Sequence, residues 1–251
     1  MKIVVIGGSG LIGSKVVRNL RAQGHQAVAA SPKSGVNTLT GEGLAEVLER
    51  ASVVVDVSNS PSFEEVAVMR FFTTSTQNLL TYEAAAGVGH HVALSIVGTH
   101  RFPQNAYFRA KIAQEKLIKE SSIPYSIVQA TQFFEFVTSI ADAGMVAGKV
   151  HAPPVFMQPI AAEDVAMAVS TVAVGAPRNG TLEIAGPDLF RMGDLIRMDL
   201  SARSDPREVI DDPGAGYYGA IPGERTLVAD EGAWLGTMHF EEWLSAAAVR
   251  S

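Results

Sequence analysis

The sequence has no cysteine among its 251 residues. That removes disulfides, thiolate metal sites and thiol nucleophiles, and it fits a reducing compartment. Charge is sparse: 18% of residues are charged and 47% are hydrophobic, a balance that argues against extended disorder. No Lys/Arg run offsets the net charge of −6, so nucleic acid is not expected as a partner. No window approaches the roughly 18 consecutive apolar residues of a membrane span. The apolar start "MKIVVI" is stopped by Gly7 and Gly8, well short of a signal-peptide core, so the expectation is a cytoplasmic protein with no membrane partner. The six histidines show no ligand spacing and no clustering with carboxylates, and no metal is expected.

What the chain does have is alternation. Apolar runs rich in Val and Ile recur at Lys2–Ile6, Gln26–Ala30, Ser52–Val57, His91–Ile96 and Tyr125–Gln129. Helix-period segments lie between them at Leu11–Gln23, Gly43–Glu49, Glu64–Gly87 (read as broken) and Ala106–Ser121. Strands that are apolar on both faces, separated by helices, predict a parallel sheet covered on both sides. Further along come a helix from about Ala162, a strand-like "GTLEIAG", a short helix around Met192–Leu200 and a terminal helix in "FEEWLSAAAV". With no repeat and no separating linker, residues 1–251 read as one domain. Its cap segments are expected at about 132–160 and 186–240.

"VVIGGSGLIGSKVV" ends the first strand with glycines at 7, 10 and 13 and opens a helix. In that setting glycines let backbone approach a pyrophosphate, and the uncapped amides of the helix start, from Leu11, Ile12 and Gly13, favour its charge. The fold class that follows is α/β: a Rossmann-type doubly wound parallel sheet with a small C-terminal cap. An NAD site usually places a carboxylate on the ribose about 20 residues beyond the glycines. Here no acidic residue occurs before Glu42, and the second strand runs into Ser31, Pro32, Lys33 and Ser34. A hydroxyl and a cation suit a 2′-phosphate, so NADP(H) is the preferred cofactor and NAD the alternative. The bland reading of Lys33, a solvated loop residue, stays open.

"NAYFRAK" sets Tyr107 and Lys111 one helical turn apart, with Asn105 placed to cap the helix. Positions 107, 111, 114 and 118 share one stripe. Ala106, Ala110, Ala113 and Leu117 form a small-residue seam beside it, suited to close helix packing or a homo-oligomer contact. Ser95, at the end of "HVALSI", lies on the sheet edge where open α/β sheets bind ligands.

In "GGSGLIG", "VVVDVSN", "LSIVG", "YFRAK", "IPYSIVQATQFFEF" and "QPIAAEDVA", in that order, the chain resembles the short-chain dehydrogenase/reductase superfamily. It is most similar to the atypical, NmrA-like branch of NAD(P)H-binding reductases. The resemblance spans about residues 1–170. It implies that Tyr107 donates a phenolic proton to an oxygen made negative by hydride transfer. It also implies that Lys111 lowers the tyrosine's pKa and holds the nicotinamide ribose, and that Ser95 hydrogen-bonds the substrate oxygen. Ser58 and Asn59 are expected beside the adenosine half, and Thr131 beside the cofactor where the fifth strand ends. The loop Val57-Ser58-Asn59 and the run Gln129-Ala130-Thr131 depart from the family's better-known patterns, which weakens a sugar-nucleotide reading.

Gln132, Phe133 and Phe134 are expected near the nicotinamide face, and with Met145, Phe156 and Met157 they suggest an apolar or aromatic substrate. Phe133, Phe134 and His100 are the substrate-contact candidates, with core packing or a plain loop as the alternative for each. His90 and His91 are expected in a turn and solvated, and Asp164 at a helix start as a cap. The resulting reading is an NADPH-dependent oxidoreductase acting on a carbonyl or quinone-like small molecule. Two alternatives stand beside it: a redox sensor or regulator that binds the dinucleotide without turnover, and a sugar-nucleotide epimerase or dehydratase.

Overall fold

Five apolar segments form most of the sheet: β1 (Lys2–Ile6), β2 (Gln26–Ala30), β3 (Val53–Asp56), β4 (His90–Ile96) and β5 (Tyr125–Ala130). The computed structural model describes residues 1–248. Between and after these strands lie α1 (Leu11–Ala22), α2 (Leu44–Leu48), α3 (Glu65–Ala86), α4 (Ala106–Glu120), α5 (Val137–Ala143), α6 (Ala162–Val174), α7 (Met192–Ala202) and α8 (Phe240–Ala248). Val249, the last residue of the expected terminal helix, lies outside the described residues. The remaining strands are β6 (Met145–Val146), β7 (Lys149–Ala152), β8 (Phe156–Met157), β9 (Gly180–Ala185), β10 (Phe190–Arg191), β11 (Val209–Asp211) and β12 (Trp234–Leu235).

The main sheet is parallel in the order β12-β9-β5-β4-β3-β1-β2. Because side chains alternate faces along a strand, each strand feeds two cores. Ile3, Val5, Val53, Val55, Val92 and Val128 pack under Ile12, Val16 and Leu20 of α1 and Val165 and Val169 of α6. Val4, Ile6 and Val54 face the other way, against Leu44 and Leu48 of α2 and Leu79 of α3. The cap has its own core. There Phe134 meets Phe240 at 5.0 Å between ring centroids, amid Val137, Met157, Leu195, Ile196 and Leu244. Among the described residues no helix is long and apolar enough to cross a membrane.

Two expectations are corrected here. The segment read as a broken helix is one 22-residue α3. Two of its threonines return their hydroxyls to the preceding turn, Thr73 to the Met69 carbonyl and Thr81 to that of Gln77, both at 2.8 Å, so they do not interrupt the backbone ladder. His90 and His91 are not solvated; they belong to β4 and are buried. Glu83 of α3 binds His91 Nδ1 at 2.9 and 3.0 Å, and Ser126 Oγ lies 2.9 Å from His90 Nε2. Buried partners are what allow two histidines into an interior strand.

Candidate functional site

The glycine turn is closed inward and open outward. Gly7 has φ +77°, and a Cβ there would sit 2.9 Å from the Ser58 backbone. At Gly8 it would meet Ala29 Cα at 2.7 Å, and at Gly13 the Gly7 carbonyl at 2.1 Å. Gly10 is different: its nearest neighbour is the Gly7 carbonyl at 3.3 Å, and the residue is exposed. Helix α1 starts directly after it, with no side-chain cap and no acidic residue in the first turn. The amides of Leu11, Ile12 and Gly13 therefore have no acceptor within the helix and carry its positive end. These are the features that admit a pyrophosphate.

At the end of β2, Ser31 is buried and a single 3₁₀ turn runs from Pro32 to Ser34. Ser34 Oγ accepts from the Ser31 amide and donates to its carbonyl, both at 2.9 Å, which fixes the turn. Lys33 is exposed on it and enters no ion pair among the described residues.

Asn105 caps α4 as its position predicted, its side-chain oxygen accepting from the amides of Tyr107 (3.0 Å) and Phe108 (3.3 Å). Its Nδ2 also donates to the carbonyls of Tyr217 and Tyr218, tying the cap to the start of the helix. Asn105→Ala is expected to lower stability by about 1–2 kcal/mol, the usual range for a lost cap, read as a fall in Tm by calorimetry. Tyr107 is half-buried; its hydroxyl donates to Asn59 Oδ1 at 2.7 Å, and its ring lies 5.6 Å from Phe63 and 5.5 Å, edge-on, from Phe72. Lys111, only 3% exposed, donates to the Leu94 carbonyl at 2.8 Å and to Gln114 Oε1, with its ammonium 4.4 Å above the Phe72 ring. The glycine turn, the Val57–Asn59 loop and the phenol are thus consecutive neighbours: Gly7 packs on Ser58, and Asn59 holds Tyr107.

A profile of the NAD dependent epimerase/dehydratase family matches residues 3–96, which carry the glycine turn and the first four strands. The Photosystem II assembly factor Ycf39 of Synechocystis sp. is 26% identical over 149 residues, 54% of this chain and 46% of that protein. The protein of the same name from Cyanophora paradoxa matches to the same extent. Over part of its length the chain is thus similar to the NAD dependent epimerase/dehydratase family and to Ycf39. The aligned part spans about half the length of those curated relatives. Among solved structures, the UDP-glucose 4-epimerase of Thermus thermophilus in complex with NAD has a TM-score of 0.76 at 15% identity, covering 99% of this chain and 98% of that one. A dTDP-4-dehydrorhamnose reductase from Bacillus anthracis in complex with NADP gives 0.71 at 13%, covering 100% and 99%. At such identities the likeness is one of fold.

Several expected roles are corrected by the geometry. Ser95 does not present its hydroxyl to the cleft; it donates to Glu115 Oε1 at 2.6 Å inside the interface between β4 and α4. Glu115 also accepts from Gln129 Nε2 at 2.7 Å, so the strand-end serine belongs to a buried polar cluster. Lys111 does not depress the Tyr107 pKa: burial, and then the Asp56 charge, push the phenol up. Burial in turn brings Lys111 down to about 8, against the pull of Asp56 and Glu115. Phe134 is core, 1% exposed between Phe240 and Trp243, while Phe133 is half-buried and stacks on exposed Phe136 at 5.4 Å. Asp164 lies in the first turn of α6 and accepts from the amides of Thr237 and Met238, both at 3.0 Å, so it anchors the approach to α8 instead of capping its own helix. His100 is exposed on a cavity of about 850 Å³ along the outer flank of α4, walled also by Lys116, Lys119, Thr181 and Glu183. Neither the glycines nor Tyr107 and Lys111 line it.

Two polar residues, Gln114 and Asp56, escaped the sequence reading of the site, whereas Gln132 was expected near the nicotinamide face. Gln114 was on the predicted stripe with Tyr107 and Lys111, but nothing in a glutamine announces a role. Asp56 ends "VVVD", a lone carboxylate closing an apolar strand, and that was the available signal. Gln132 is buried with both amide atoms unpartnered, as is the neighbouring Thr131 Oγ1. Orphaned donors and acceptors of this kind are costly unless a ligand or water takes them. With the turn that excludes a Cβ, the free helix start and the unpaired Lys33, they fit a nicotinamide dinucleotide. In that arrangement Leu11–Gly13 would hold the pyrophosphate, Ser31 and Lys33 the adenosine end, and Thr131 and Gln132 the far end.

Proposed function

We propose that the chain is an NADPH-dependent oxidoreductase that reduces a carbonyl or quinone-like small molecule, with Tyr107 as proton donor. The supporting observation is the sequence of contacts from Gly7 through Ser58 and Asn59 to the Tyr107 hydroxyl, which puts a phosphate cradle and a phenol on one sheet edge. A bound nicotinamide supplies the hydride. Tyr107 holds its proton at neutral pH, as any tyrosine does, and burial pushes its pKa further up, so it starts in the donor form. Loss of that proton leaves a phenolate beside the exposed Asn59, where solvent can reach it. Phe63, 65% exposed beside Tyr107, and the Phe133–Phe136 stack favour a flat, apolar substrate.

Lys33 serves the 2′-phosphate in this reading. Lys33→Ala is expected to weaken NADPH about tenfold or more, the usual worth of a charge-assisted contact, and to leave NADH within twofold. Equal losses measured by nucleotide fluorescence would remove the assignment.

A second reading, a dinucleotide binder without turnover, draws on a specific observation. Tyr107, Lys111 and Ser95 are all bonded within the protein, to Asn59, to Leu94 and Gln114, and to Glu115. The likeness to an assembly factor points the same way. Oxidation of NADPH and NADH over a panel of quinones, aldehydes and ketones separates the two. Tight NADPH binding with no turnover on any of them supports the second reading and defeats the first.

A further inference from the structure

Behind Tyr107 and Lys111 runs a set of hydrogen bonds that the proposed chemistry does not use. Lys111 Nζ donates to Gln114 Oε1, and Gln114 Nε2 donates to Asp56 Oδ2 at 3.0 Å. Asp56 Oδ1 accepts from the Ser58 amide at 3.0 Å and from its hydroxyl at 2.6 Å. Asn59, the next residue, accepts the Tyr107 hydroxyl at 2.7 Å. Since Tyr107 and Lys111 share α4, the path closes on itself: phenol, Asn59, Ser58, Asp56, Gln114, ammonium. Asp56 is 2% exposed at the end of an apolar strand. A carboxylate in such a place is costly, and three donors together with the nearby ammonium compensate it.

We propose that Asp56 and Gln114 form a buried clamp that fixes the Lys111 ammonium in place at the sheet edge that takes the nucleotide, an inference that rests on the oxidoreductase reading. Both are positioning residues. The two ends of the Gln114 amide are used in opposite senses, oxygen to the ammonium and nitrogen to the carboxylate, so Asp56 decides which end faces Lys111. The Ser58 donors require an acceptor at one atom of residue 56. In Asp56→Asn the other atom is then an NH₂ facing the Gln114 NH₂. Gln114 must turn over, and its own NH₂ then meets the ammonium. Lys111 loses an acceptor and a counter-charge in one change. The other charged groups that bear on it are Glu115 on its own helix and His91 of β4, with Glu83 of α3 behind His91.

The test is a titration of lysine side chains by NMR on intact protein labelled at lysine ¹³Cε. Seven lysines give a short spectrum, and Lys111→Arg assigns the resonance. In wild type the Lys111 midpoint is expected near 8. In Asp56→Asn it falls by at least half a unit, in Gln114→Leu by less, and exposed Lys116 stays put in both. NADPH affinity, read by nucleotide fluorescence, falls about tenfold in each variant. Calorimetry confirms that both are folded; should Asp56→Asn not fold, Gln114→Leu alone carries the test. An unchanged Lys111 midpoint overturns the clamp, and an unchanged NADPH affinity overturns its positioning role. Should wild type bind no NADPH at all, the oxidoreductase reading fails, while the titration still decides whether the clamp exists.

Discussion

Tyr107→Phe is expected to lose two or more orders of magnitude in kcat for NADPH-dependent reduction while binding NADPH as tightly as wild type. A positioned acid contributes roughly 10²–10⁴-fold to such a step. The substitution removes one oxygen and leaves the ring. The contacts with Phe63 and Phe72 survive, and the lost bond goes to Asn59, which is exposed and finds water instead. Stability should therefore change little, so a fall in rate cannot be blamed on the fold. The measurement is steady-state NADPH oxidation with an active quinone or aldehyde, beside nucleotide titration and calorimetry. An unaltered rate would show that the proton comes from elsewhere.

Why the site was only partly legible follows from what kind of signal each residue carries. Gly7, Gly10 and Gly13 could be read because a backbone constraint writes itself as glycine at fixed spacing, and the contacts at Gly7 and Gly13 show how tight that constraint is. Asn105 was readable as a cap because capping is local to three residues. Strand positions followed from runs apolar on both faces. Ser95 failed for the opposite reason. Its place at a strand end was visible, but the direction of its hydroxyl was decided by Glu115, twenty residues on, and no local pattern reports that. His90 and His91 were misplaced likewise, because the partner that lets His91 be buried sits on α3. The circuit through Asp56 and Gln114 joins residues 58 apart in the chain, so only the fold could bring it to light.

Glu83→Ala is expected to cost roughly 3–5 kcal/mol, which is a fall in Tm on the order of 10 °C for a chain of this size. Glu83 and His91 are both fully buried, and neither can turn to water. Burial works against the charge on His91, but the Glu83 carboxylate outweighs it and holds the imidazole above its ordinary value; burial also pushes Glu83 up, only partly offset by His91. Removing the carboxylate leaves an imidazole with no partner at Nδ1, and its Nε2 is already unpartnered. The sign with pH follows from the raised imidazole. A folded value above the unfolded one gives stability that is complete below about pH 6.5 and is lost as pH rises through the folded value. The penalty of Glu83→Ala should therefore be larger at pH 6 than at pH 9. If the loss reflects a stranded polar group and not missing volume, replacing both partners by apolar residues of similar size should recover most of it. Denaturant unfolding of Glu83→Ala and of the double variant Glu83→Leu/His91→Leu at both pH values decides the matter. A double variant as unstable as the single one would mean that the pair supplies net stability of its own.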